Sequence, residues 1–225
     1  MGAALRRMLS RLNICSKESV VRQYDHEVQG GSVIKPLTGA ANDGPSDAAV
    51  IRPLLDTFAG IVVANGICPR YSDIDAYDMA ACAIDEAVRN AVAVGADLDH
   101  LAGLDNFCWC DPVQSEKTPD GEYKLAQLVR ANQAVYDYTT AYGVPCISGK
   151  DSMKNDYAIE GTKISIPPTL LFSVIGRMAD VRRAVTMDAK RAGDIVYVLG
   201  ETKNELGASE WYALHGCVGD NCPRV

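Results

Sequence analysis

Residues 76–94 constrain the fold more than any other stretch. At 100° per residue they make a helix with three faces. Tyr77, Ala80, Ala81, Ile84, Ala87, Val88 and Ala91 form an apolar stripe. Asp78, Asp85 and Arg89 form a polar stripe that reads as the solvated side. Glu86 and Asn90 lie on neither. They share a third face with Met79, Ala83, Ala93 and Val94, which is otherwise small and apolar. Side chains at i and i+4 stack about 5–6 Å apart, and polar groups on an apolar face are costly to bury without partners. Two readings are open. Either the pair is a satisfied polar contact at an interface, or it offers a carboxylate and an amide oxygen to a hard cation such as magnesium, which takes oxygen ligands and keeps several waters.

The rest of the chain supplies elements around that helix. Residues 32–37 are a short β-branched run, and 38–45 are a loop by composition. A strand is predicted over 46–51 and a second over 60–64. Residues 65–71 break the pattern as a loop. The helix at 76–94 stops at Gly95, in a position that suits a glycine cap. A strand over 98–107 leads into a loop at 109–120. A long helix at 122–141 carries Leu125, Leu128, Val129 and Val135 as its stripe and stops at Gly143. Residues 144–147 read as a buried strand that delivers Ser148, Gly149, Lys150, Asp151 and Ser152 at its end. Residues 163–175 read as a strand interrupted by Pro167 and Pro168, hence an edge or a bulge. A charged junction over 176–194 precedes a strand at 194–199 and a helix candidate at 202–215. That second unit has too little chain for a core of its own. The expected division is an arm at 1–15, a domain at 16–178 and an incomplete second domain at 179–225, a piece of a larger polypeptide.

Composition excludes some functions. The 225 residues carry a net charge of −7, which argues against a general nucleic-acid or anionic-membrane surface. No apolar run approaches a membrane span. The first fourteen residues include Arg6, Arg7 and Arg11 but no continuous apolar stretch, so they are not a secretory signal; a short amphipathic helix or an arm fits them. The eight cysteines form no C-x-x-C pair and only three histidines accompany them, so a zinc site is not expected. Scattered single cysteines suit a reducing cytosol.

Three constellations remain. Asp47 opens a predicted strand directly after Gly44-Pro45, so it is either a turn cap or an acid pointing into the space above a sheet end. With Glu86 and Asn90 further along, a shared magnesium site becomes the stronger reading: two carboxylates and an amide can bridge the ion to a nucleotide's phosphates. Gly149-Lys150-Asp151-Ser152 offers backbone N–H groups and a point charge to an anion, or is an ordinary polar turn; it is not a Walker A loop. Lys17 and His26 have no local pattern and read as surface residues. Cys108 and Cys110 lack a base or a cause for a lowered pKa, so neither reads as a nucleophile.

Taken together, several motifs resemble one family. They are Ser16-Lys17-Glu18 with 21–26, Gly44-Pro45-Ser46-Asp47-Ala48-Ala49-Val50, Pro69-Arg70-Tyr71, Glu86 with Asn90, Gly149-Lys150-Asp151-Ser152-Met153, and Glu205-Leu206-Gly207-Ala208-Ser209-Glu210. They are ordered and well spaced over nearly the whole chain. The sequence resembles the formylglycinamide ribonucleotide amidotransferases, or phosphoribosylformylglycinamidine synthases, in their second aminoimidazole-ribonucleotide-synthetase-like half. The resemblance implies an α+β fold: a mixed sheet packed by helices that pairs into a barrel, plus the start of a C-terminal-like domain. It also implies an ATP-dependent ligase of purine biosynthesis. ATP activates the amide oxygen of formylglycinamide ribonucleotide, and ammonia from a glutaminase domain displaces the phosphate. Asp47, Glu86 and Asn90 map onto metal ligands of an auxiliary Mg–ATP/ADP site, Ser46 onto a nucleotide contact and Lys17 near the phosphates; Lys150 and Ser152 join the expected nucleotide contacts. The catalytic residues, and one further metal ligand, lie in other parts of such an enzyme, so the chain alone is expected to be inactive. Two departures stand out. Gly207-Ala208 replaces a frequent Gly-Gly, and Gly149-Lys150-Asp151-Ser152 replaces the Gly-Asn-Val-Ser of small forms, which points to the large single-chain form. A homodimer, a cytoplasmic setting, and no nucleic-acid or membrane partner are expected. The alternatives are a non-catalytic pairing module and a stand-alone ATP-dependent relative.

Overall fold

The computed structural model describes residues 2–23, 27 and 29–225. His26 therefore lies outside the described residues. In chain order the elements are α1 (Gly2–Leu9), α2 (Glu18–Val21), β1 (Ser32–Ile34), β2 (Ala49–Ile51), β3 (Gly60–Ile67), α3 (Ala76–Ala93), β4 (Leu101–Cys108), α4 (Gly121–Tyr142), β5 (Cys146–Ser152), β6 (Asp156–Ile159), β7 (Thr162–Ser165), β8 (Thr169–Met178) and α5 (Glu210–Leu214). Six strands make a mixed sheet in the order β1-β2-β3-β8-β4-β5, and β6 and β7 form a separate hairpin. All neighbours in the large sheet are antiparallel except β4 and β5.

Helix α3 begins where Asp75 accepts the N–H groups of Tyr77 and Asp78, satisfying two donors of the first turn. It buries Met79, Ala80, Ala83, Ile84, Ala87 and Ala91 against β3, β8 and α4. Fully burying a side chain such as Ile84 or Met79 contributes roughly 1.5–3 kcal/mol. The approach to β3 is so close that a Cβ on Gly66 would lie 2.1 Å from the carbonyl oxygen of Ala83. That contact explains why the expected loop over 65–71 is strand as far as Ile67. The glycine is needed for packing and does not end the ladder, which β8 continues. A 3-10 turn, Pro69–Asp73, then leads into α3. Similarly a 3-10 turn at Leu98–His100 delays the expected strand at 98–107 to Leu101. Helix α4 ends at Gly143, which takes a left-handed φ of 66° and donates to Thr139 and Thr140.

Several expectations are corrected. Pro167 and Pro168 fall between β7 and β8, where they remove no ladder bond, so β8 is a central strand between β3 and β4. The expected buried strand at 144–147 begins at Cys146 and runs through Ser152 as the exposed edge β5, so residues 148–152 lie in a strand and not in a loop at its end. Residues 194–199 form no strand, and Ile195 to Leu199 are 74–91% exposed. The helix candidate at 202–215 shortens to α5, because Ala208 adopts φ 56° and Gly207 packs against Asn221. On α4 the buried residues include Lys124 and the small Ala131 and Ala134, and the two alanines allow close helix contact, while Leu125 and Val129 are exposed.

The supposed solvated stripe of α3 is also largely covered. Arg224 pairs with Asp78 at 3.3 Å, Pro223 accepts from the Cys82 thiol at 3.2 Å, and Tyr138 donates to Val225 at 3.0 Å, so the last residues strap across α3 and α4. Asp85 accepts from the Tyr142 hydroxyl and pairs with Arg89 at 2.5 Å. Helices cover one face of the sheet. The opposite face presents Ile51, Val63, Ile67 and Ile175, each about two-fifths exposed, on alternate strand positions.

Candidate functional site

The candidate site grows from the point where β2 stops. That strand pairs with β3 only from Ala49↔Val63 to Ile51↔Ile61. Beyond Val63 the edge of β3 that faces β2 runs on as Asn65 and Ile67. An unpaired backbone group is costly if buried, and α3 supplies the missing partners. Asn90 donates its Nδ2 to the Asn65 carbonyl at 3.1 Å, and Glu86 Oε2 accepts the Ile67 N–H at 2.8 Å. The third face of the helix thus completes an interrupted ladder.

This supports the interface reading for the pair, and it leaves chemistry unused. Asn90 spends its amide nitrogen and keeps Oδ1; the bonds to Glu86 fall on Oε2. Asp47, Ser46, Lys35 and Asn65 line an open cavity of about 300 Å³ beside that edge. Asp47 therefore shares a cavity wall with the residue that Asn90 holds. Two carboxylates and an amide are hard oxygen donors, the chemistry magnesium prefers. Among the described residues no group of three or more His, Cys, Asp and Glu side chains forms a metal cage, so any ion here would need the amide and water.

The other expected contacts are already engaged with partners of their own. Ser46 is beside Asp47 but donates its hydroxyl to the Ala48 carbonyl at 3.1 Å. Lys17 donates to the carbonyls of Leu12 and Cys15, at 2.7 Å each, and is tied to its own turn. Lys150 donates to Ser152 and stands opposite Asn106 on the far edge of the sheet. Four strand spacings separate β2 from β5, about 19 Å. Both nevertheless lie at the same end of the sheet, because Ile67, Leu171, Asn106 and Lys150 share one cross-strand row. Asp47 and Asn65 thus share a cavity, while Lys17, Lys150 and Ser152 lie elsewhere.

Residues 67–71 add a neighbour that spacing alone did not assign. Ile67, Cys68, Arg70 and Tyr71 face Ser209 and Glu210 across a cleft of about 250 Å³. Glu210 anchors the arm through Arg11 and through Asn13 at 2.8 Å. Burial, then the nearby Glu86 carboxylate, push the Cys68 thiol well above its ordinary range, and burial lifts Tyr71 to about 12. Cys110 is buried and raised for the same first reason. The Pro69-Arg70-Tyr71 motif was the available signal for this cleft; its facing wall, 140 residues downstream, was not legible locally.

With this geometry in place, comparison with known proteins is informative. Residues 45–178 match the family described as AIR synthase related protein, N-terminal domain. Phosphoribosylformylglycinamidine synthase subunit PurL of Methanocaldococcus jannaschii is 35% identical over 228 residues, covering 100% of this chain and 29% of that protein. The subunit of the same name from Picrophilus torridus is 33% identical over 208 residues, 92% of this chain and 26% of its own length. The chain thus spans between a quarter and a third of these relatives. Among solved structures, PurLQS from Thermotoga maritima aligns with a TM-score of 0.57 at 26% identity, over 76% of this chain and 25% of that one. T. maritima PurL complexed with ADP aligns at 0.56 and 26%, over 78% and 26%.

Proposed function

The chain belongs to the AIR synthase related family, and from that premise we propose that it is the nucleotide-binding, second-half portion of a phosphoribosylformylglycinamidine synthase. The relatives carry that enzyme's name, and T. maritima PurL has been seen with ADP and with ATP. The reaction we assign to the whole assembly is the ATP- and glutamine-dependent conversion of formylglycinamide ribonucleotide to the amidine, with ammonia from a glutaminase partner, in the cytoplasm. The portion comprises the domain over 16–178 and the start of a second over 179–225. By itself it lacks the full activity.

One observation carries the site assignment: Asp47 opens onto the same cavity as Asn65, whose carbonyl is held by Asn90, one turn from Glu86. Asp47, Glu86 and Asn90 are the residues we assign to Mg²⁺. When bound, the ion would neutralise the phosphates of ATP or ADP against two carboxylates. Ser46 lies beside Asp47 and we assign it to the nucleotide, while Lys17, Lys150 and Ser152 require a change of partner or a second chain to reach it. Titration calorimetry with ADP and magnesium tests this. Saturable, magnesium-dependent binding that Asp47→Asn weakens is expected; binding unchanged in Asp47→Asn and Glu86→Gln removes both from the site.

A second role rests on the open sheet face. Ile51, Val63, Ile67 and Ile175 make an apolar surface that the helices do not cover, and we assign it to pairing with a second copy, or with the corresponding half of the full enzyme. Light scattering of the purified chain reports on it: a monomer at all accessible concentrations contradicts the pairing.

A further inference from the structure

Three cysteines that lie far apart in the chain come together where residues 222–225 cross α3. Asp78, Cys82 and Glu86 are spaced one helical turn apart and stack along one side of α3. Each meets a different neighbour there. Asp78 Oδ2 is 3.8 Å from the Cys222 thiol, Cys82 donates to the Pro223 carbonyl at 3.2 Å, and Glu86 Oε2 is 3.7 Å from the Cys68 thiol. All three thiols are free. They also feel one another. Burial first, and Cys222 next, push the Cys82 thiol up to about 12. Cys68 is raised by burial, then by Glu86, with Cys82 and Cys222 adding to the effect. Among the described residues no metal cage forms, so the chemistry left to the cluster is that of paired thiols.

The pair is selected by what holds each member. Cys68 is tied to the Glu86 carboxylate, which opposes its ionisation. Cys222 sits on a segment with few anchors. The Arg224 side chain is 70% exposed, so its ion pair with Asp78 contributes little. Beyond that, Val225 accepts from Tyr138 and Pro223 from Cys82. The buried Cys222 is thus the main plug of the strap. A disulfide needs Cα atoms about 4.4–6.8 Å apart. Cys222 already meets the residue one turn before Cys82, and the next residue of the strap already touches Cys82 itself.

We propose that Cys82 and Cys222 form a reversible disulfide that locks residues 222–225 onto α3. The step is thiol–disulfide exchange with a low-molecular-weight disulfide such as oxidised glutathione. With the strap lifted, the Cys222 sulfur attacks that disulfide. Its S–S bond breaks, a mixed disulfide forms, and one glutathione leaves as the thiol, carrying the Cys222 proton. As the strap returns, the Cys82 sulfur attacks the mixed disulfide at Cys222. The protein S–S bond forms, and the second glutathione leaves with the Cys82 proton. Two protein thiols are oxidised and one glutathione disulfide is reduced to two thiols. Thiolate is the attacking form, and burial keeps both thiols protonated while the strap is down, so the exchange waits on opening. The proposal does not rest on the metal or nucleotide assignments.

The test equilibrates the reduced 225-residue chain with glutathione buffers of rising oxidised fraction. Acid quenching, blocking of the remaining thiols and peptide mass spectrometry then map the links. A peptide joining Cys82 to Cys222 is expected, formed at least about tenfold more in the folded chain than in urea, because closure raises the effective concentration of the two thiols. Cys217→Ser should leave the link in place, and Cys82→Ser should abolish it. The oxidised chain should melt roughly 5–10 °C above the reduced one. No linked peptide at the most oxidising ratio overturns the proposal, as does equal linkage in urea. A link from Cys82 to Cys68, or from Cys222 to Cys217, in its place overturns the pair. An unchanged melting temperature with the link formed overturns the lock.

Discussion

Glu86 Oε2 accepts the backbone N–H of Ile67 at 2.8 Å, so this carboxylate completes a strand edge, and it is also one of the residues proposed for the metal. The two roles separate by substitution. Glu86→Gln keeps an oxygen acceptor for Ile67 and removes the charge. Its stability should stay within about 0.5 kcal/mol of the parent, while magnesium-dependent ADP affinity falls at least about tenfold. Glu86→Ala should lose the affinity and also about 1 kcal/mol of stability. Urea unfolding beside calorimetry on both variants checks the split; equal stability losses would show that the charge itself holds the fold.

Gly66 has no room for a side chain. An added Cβ would lie 2.1 Å from Ala83 O and 2.8 Å from Ala87 N, both backbone atoms of α3. Gly66→Ala should therefore force the helix off the sheet, costing about 1–3 kcal/mol. A shift in the urea midpoint at unchanged slope measures it. An unaltered midpoint would mean that α3 is free to shift away from β3.

Asp75 caps α3 and pairs with Arg130 at 2.5 Å. Partial burial works to raise its pKa, but the bonds from Arg130 and from the Tyr77 N–H outweigh it and hold the carboxyl below its ordinary value. The sign follows. A depressed folded-state pKa gives stability that is complete above the unfolded value near about 4 and is lost as pH falls through the folded one. Asp75→Ala should cost about 1 kcal/mol at neutral pH and progressively less below about pH 4. Thermal melts across acid pH check it, and a pH-independent difference would refute the linkage.

The eight cysteines are all free, yet they should react at very different rates. Burial first, then neighbouring acidic groups, lift Cys82 to about 12 and Cys222 to about 11, and move Cys68 in the same direction. Thiolate is the reactive form. Alkylation at pH 8, followed by peptide mass spectrometry, should modify exposed Cys217 first and Cys68, Cys82 and Cys222 last. Early modification of Cys82 would mean that the strap made by residues 223–225 opens in solution.

What the sequence disclosed follows the range of the interactions. Helix α3 was legible to within a residue because its stripe and Gly95 are both local signals. The cover over Asp78 and Asp85 was not, since it comes from Arg224 and Tyr142, which are 146 and 57 residues away. The central place of β8 depends on which strands flank it, and two prolines just outside it pointed the wrong way. At the end of β3, Glu86 and Asn90 meet the strand's backbone, while Asp47 lines the cavity beside Asn65. Lys150 and Ser152 carried an equally suggestive motif, but no spacing along the chain reports a separation of four strands across it.

The exposed run from Ile195 to Leu199 has a consequence for handling the protein. Ile-Val-Tyr-Val-Leu is uncharged, β-branched or aromatic at four of five positions, and free of proline and glycine. Displayed without a covering element, such a segment is a template for intermolecular cross-β stacking. The shelf life of concentrated preparations will then be set by this pentapeptide while the core remains intact, and a single lysine at Tyr197 would act as a gatekeeper.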